Sequence, residues 1–160
     1  MTDHAILRID GEVEHPCSLS LAELAAVDAK YQVADVSRLV PGRAGDAVTL
    51  EGLLTLMGVK PSGTYLTIHA SADGFHASVP LAAVRASALV VYRLAGGPLP
   101  AKSGGPIRLL IPDTAACHTH EVDECANVKF VDHLEITRER GHDNRPATEA
   151  EHARLHGREP

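Results

Sequence analysis

Residues 104–136 read GGPIRLLIPDTAACHTHEVDECANVKFVDHLEI, a long polar loop between two apolar runs. The turn Gly104-Gly105-Pro106 leads into the run 107–111, interrupted only by Arg108, and Pro112 stops it. Asn127, Val128 and Lys129 then lead into the second run, 130–136. Both runs read as strands, and each carries or adjoins one fixed cation. A loop dense in cysteine, histidine and carboxylate, held on two strands, is where function tends to lie.

Upstream, residues 88–94 form another apolar strand. YLTIHA (65–70) and FHASV (75–79) flank Ala72-Asp73-Gly74, the clearest hairpin signal in the chain. Pro80 is placed to open a short helix reaching Arg85. Thr49 caps a predicted helix over 50–57, ended by Gly58. Residues 41–46 are a loop by composition. YQVADV (31–36) reads as a strand with Tyr31, Val33 and Asp35 on one face. Ser20 and Glu23 have the spacing of a capping box for a short helix reaching about residue 29. Residues 5–13 alternate as an N-terminal strand, broken by His15-Pro16, and Cys17 reads as a small core residue. The pattern predicts a mixed α+β fold, mainly β, with short helices between strands. Residues 1–137 form the expected domain. Residues 138–160 are a charged tail expected to pack on it or extend from it, with Thr148 and Glu151 capping a short surface helix over 150–155.

At 160 residues, the length suits a single core. Aromatics are only 3%, so that core must be aliphatic, and few rings are available for stacking on bases. The net charge of −6 argues further against nucleic acid or an anionic membrane as partner, while leaving room for a local basic pocket for a small anion. No apolar run is long enough to cross a bilayer, and the first residues lack the pattern of an export signal. Three cysteines in such a chain argue against a disulfide framework, so the expected location is cytoplasmic.

Two groups of residues invite chemical readings. Cys117, His118, His120 and Cys125 offer thiolate and imidazole ligands for zinc or another transition metal, although their spacing matches no paired zinc module. The alternatives are a solvated loop with a buried cysteine, or a Cys117–Cys125 disulfide in an oxidising compartment. His69 and His76 lie on the two hairpin arms, with Asp73 in the turn, and imidazole is the usual proton carrier near neutrality. No Walker loop, Rossmann fingerprint, nucleophile elbow or HExxH helix is present. Arg108 and Lys129 admit plain readings of their own, as a solvent-facing strand residue and an edge-guarding lysine.

The order of LRIDGEVEHPCSLSLAEL, VTLEGLLTLMGVKP, DGFHASVPLAAV, GGPLPAKSGGPIRLLIP and NVKFVDHLEIT resembles the oxidoreductase molybdopterin-binding domain of the sulfite oxidase fold, over about residues 5–137. That resemblance implies a small anionic cofactor, molybdopterin, contacted by Ser103, Arg108 and the segment Asn127, Val128 and Lys129. It also implies oxidoreductase chemistry of the oxo-transfer type. The family's metal-binding cysteine falls at Asp35, a hard oxygen donor in place of a thiolate. The other reading is a non-catalytic binding or scaffold domain on the same fold.

Overall fold

A computed structural model describes residues 4–146. Two five-stranded sheets pack face to face around an aliphatic core. Strand β1 (Ala5–Gly11) lies inside the first sheet, next to its edge strand. It pairs antiparallel with β2 (Cys17–Ser20) and parallel with β10 (His133–Thr137). The sheet continues through β5 (Tyr65–Ala70) to the edge strand β6 (Phe75–Pro80). The second sheet runs β3 (Gln32–Val33), β4 (Asp46–Thr49), β7 (Leu89–Leu94), β8 (Gly97–Pro98), with β9 (Arg108–Leu110) also paired to β7. The fold is mainly β, as expected.

The alternation of β5 and β6 aims Leu66, Ile68, Ala77 and Val79 into the core. Helix α2 (Leu50–Met57) covers them with Leu50, Leu53, Leu54 and Met57. Its start and stop are local: the Thr49 hydroxyl accepts from the Gly52 amide, and Gly58 closes the end at φ 71°. Helix α1 (Leu21–Ala25) opens on the expected capping box between Ser20 and Glu23. It stops at Ala25 rather than near residue 29, because Gln32 Nε2 binds the Leu24 and Val27 carbonyls at the helix end. Helix α3 (Leu81–Val84) follows Pro80 as read.

Other expectations need correction. The strand expected over 31–36 is reduced to β3, since Asp35 takes φ +55° and caps a 3₁₀ turn over Val36–Arg38. Aspartate tolerates that left-handed geometry because its carboxylate bonds the backbone two residues on. The second run of the opening segment starts at His133 rather than 130, because Phe130 sits at φ +60°. Strands β2 and β4 went unread because each is four residues long. Cys17 is only partly buried, packing at the rim with its thiol 3.2 Å from Met57 Sδ. The helix expected over 150–155 lies outside the described residues.

Tyr92 joins the layers. Its ring is fully buried, and its hydroxyl donates to Gln32 Oε1 at 2.7 Å. Gln32 is the residue that closes α1. Tyr92→Phe is therefore expected to lower stability by about 1 kcal/mol, measured as a shift of the urea midpoint without a change in slope.

Candidate anion-binding cleft beside Arg108

Sheet register places Arg108 opposite Val91 on β7, and Val91 lies opposite Ala47 on β4. Val91, Ala47, Leu110, Leu89, Leu99 and Val36 form a small second cluster on the outer face of this sheet. Arg108 shares that face, two residues from Leu110. It is half-buried there, and its Nε is buried with no hydrogen-bond partner among the described residues. Burial, and then the positive charge of Arg43, push the Arg108 pKa down. The plain reading of Arg108 as a solvent-facing strand residue does not fit.

The segment 127–131 runs antiparallel to 104–111. Leu109 donates to the Val128 carbonyl, Val131 to that of Ile107, and Phe130 to that of Gly104. Lys129 thereby comes beside Arg108 although the two are distant in sequence. Gly104, at φ +95°, sits between them: a Cβ there would lie 3.1 Å from Lys129 Cγ and 3.3 Å from an Arg108 terminal nitrogen. Ser103 ends the 3₁₀ turn Ala101–Ser103 immediately before this glycine and is partly buried.

The other expected contacts divide. Val128 is buried, so its side chain is not available to a ligand. The Asn127 side chain is occupied within the protein: it accepts from the Ile111 amide and donates to Glu124 at 3.1 Å. It holds the segment in place. Arg43 was missed. It lies in the Pro-Gly-Arg-Ala-Gly loop, and its charge reaches Arg108. A basic residue between two glycines, ahead of a strand end, was the available signal.

Asp35 leads into the buried Val36, on the same outer face as Arg108. Its carboxylate accepts from the Ser37 hydroxyl and amide, which hold its pKa below the usual carboxylate range. Its own amide donates to Asp46 at 2.9 Å. Asp35 is therefore ionised and engaged as a turn cap.

The expected metal site at Cys117, His118, His120 and Cys125 is not assembled. Among the described residues no three His, Cys, Asp or Glu side chains are arranged to hold a metal ion, Asp35 included. The Asp113 carboxylate accepts from the Ala115 and Ala116 amides, and Asp123 caps the 3₁₀ turn Glu124–Ala126, so both brace the loop backbone. His118 turns left-handed at φ +56° and is exposed, as is His120, whereas Cys117 is partly buried near the Asp113 carbonyl. Burial, then Asp113, raises the Cys117 thiol pKa, which disfavours the thiolate a metal needs.

His69 and His76 do meet, Nδ1 to Nδ1 at 2.7 Å, but on the outer face of the first sheet, away from the Arg108 face of the second. Among the described residues no helix is long and apolar enough to cross a membrane.

No curated protein matches the chain. Among solved structures it is similar to the sulfane dehydrogenase SoxCD from Paracoccus pantotrophus, with a TM-score of 0.60 and 23% identity. The alignment covers 84% of this chain and 38% of that one, and at this identity it speaks for the fold alone. Residues 46–144 match the family described as the oxidoreductase molybdopterin binding domain. That span contains β4 through β10, Arg43 excepted, with Arg108 and Lys129 side by side. The chain belongs to the oxidoreductase molybdopterin binding domain family.

Proposed function

We propose that the chain binds a phosphate-bearing pterin of the molybdopterin type in the cleft beside Gly104. The observation that carries this reading is the buried, unpartnered Nε of Arg108. A buried guanidinium N–H left without an acceptor costs free energy, and an anionic oxygen is the group that restores it. Arg108 grips the phosphate. Lys129 adds a second positive charge, Arg43 a third from the loop before β4, and Ser103 a hydroxyl. Gly104 keeps the floor open where a side chain would fill it.

When bound, a molybdenum–pterin group supplies two-electron oxygen-atom transfer. The residues named here bind and orient the pterin. Asp35 is the weak point of the catalytic reading, since its carboxylate already serves Ser37. That occupation favours a second reading, a domain that binds a pterin or similar anion without turnover.

Purification from a host that makes molybdenum cofactor tests both. Pterin and molybdenum at near-equal stoichiometry with protein is the result expected for the oxidoreductase. Pterin without molybdenum supports the second reading, and absence of both from protein carrying an intact Arg108 refutes cofactor binding.

A further inference from the structure

We infer that His69, His76 and His142 form a proton-operated latch that holds residues 141–145 against the edge of β6 at neutral pH and loosens them in acid. The inference is independent of the Arg108 cleft. Cross-strand register sets Arg8, His133, His69 and His76 in one row across β1, β10, β5 and β6. His142 extends the row past the sheet edge by stacking on His76, ring centroids 3.9 Å apart.

Residues 141–145 occupy the open edge of β6. Asn144 donates its amide to the His76 carbonyl, accepts from the His76 amide, and donates its side-chain nitrogen to the Gly74 carbonyl. Asp143 accepts from the Ser78 amide, and Arg145 donates to the Ser78 carbonyl. Gly141 donates to the Ser78 hydroxyl at 2.8 Å. The strap thus answers the polar backbone groups that an edge strand otherwise offers to another chain.

Proton bookkeeping makes this contact conditional. His69 Nε2 lies 3.0 Å from Glu135 Oε1, and a carboxylate only accepts, so Nε2 carries a hydrogen. The 2.7 Å contact between the two Nδ1 atoms then needs one proton between them. Neutral His69 accepts from His76, and charged His69 donates to a neutral His76. Protonating both sets N–H against N–H and ends the bond. The surroundings of the row are mixed. His76 faces His142 and Asn144 on the strap, His69 on β5, and Asp132 ahead of β10. His69 also faces Glu135 and His133 on β10, and His133 faces Asp10 and Arg8 on β1. At His76 the balance is against charge: burial first, then His142 and His69, lower its pKa, with Asp132 opposing.

The sign follows. A histidine whose pKa is lower in the latched form binds a proton more readily once released, so latching is complete above the ordinary imidazole range and weakens as pH falls through it. Asp143, the strap's other anchor, titrates far lower, so the two anchors separate on the pH axis. Amide hydrogen exchange tests the latch. Between pH 7.5 and 5.5, after correction for the intrinsic pH dependence of exchange, protection at Asn144 and Gly141 is expected to fall about fivefold, while Leu134 is unchanged. In His76→Gln, and separately in His142→Gln, the fall at Asn144 is expected to shrink to less than about twofold. Protection independent of pH in the unmodified chain, an undiminished fall in both variants, or an equal fall at Leu134 would overturn the inference.

Discussion

Arg108→Met is expected to retain about a hundredfold less pterin than the unmodified chain when both are purified from a cofactor-producing host, yet to be no less stable. The first half follows from replacing the proposed charge-assisted contact to phosphate, about 3 kcal/mol, with a side chain that has no donor. The second half follows from the same unpartnered Nε. Methionine fills the stem's volume against Val91 and Leu110 and removes a buried donor with no acceptor, so the empty protein gains up to about 1 kcal/mol. Pterin content by fluorescence after acid extraction, together with a thermal melt of the cofactor-free form, checks both. A purely structural arginine gives the opposite pattern, a lower melting temperature with cofactor content unchanged per folded molecule.

Arg145→Ala has the largest expected effect on stability. The Arg145 and Asp143 side chains are 7% and 3% exposed and meet at 2.6 Å. Arg145 also donates to the Glu121 and Ser78 carbonyls. Burial pushes the Asp143 carboxyl up, but hydrogen bonds from Arg145 and the Ser78 amide, with the Arg145 charge, outweigh it and hold the pKa at about 2. Removing the Arg145 side chain takes the closest charge partner from a buried carboxylate, leaving it the exposed Arg140 and two backbone amides, and frees two carbonyls. The expected loss is about 3 kcal/mol, or about 8 °C in Tm. The double replacement Asp143→Asn with Arg145→Met is expected to lose less, because neither charge is then stranded. The pH dependence carries the same signature. A depressed carboxylate stabilises fully above its unfolded pKa near 4 and loses that contribution toward pH 2. A urea titration at pH 5 and pH 2.5 therefore shows a smaller difference between the two pH values for Arg145→Ala than for the unmodified chain.

What could be read from the sequence was mostly local. Ser20 with Glu23 and Thr49 with Gly58 mark helix ends through bonds to neighbours within four residues, and Pro80 marks one through its fixed φ. The β5–β6 hairpin follows from alternation on both sides of one glycine turn. Arg108 and Lys129 come together because the runs that carry them are joined by a loop and return antiparallel, so flanking residues must approach. The failures share a different cause. The Cys117–Cys125 loop is rich in ligand atoms, but nearness in sequence does not aim side chains at one point, and bonds from backbone amides to Asp113 and Asp123 brace the backbone. Asp35 was assigned to a strand because φ +55° leaves no trace in residue type beyond aspartate's tolerance of it. The histidine row depends on register among four strands, one of them 57 residues downstream of the preceding hairpin arm by subtraction of His76 from His133.

The parallel pairing of β1 with β10 sets Ile9 beside Leu134 at the centre of the first sheet. The earliest and latest strands of the domain are thus neighbours, and nothing made in between can substitute for either. On the ribosome, β1 and β2 must wait with one flank unpaired until β10 has emerged. A chain cut short before β10 therefore leaves one flank of its opening hairpin open to other nascent chains.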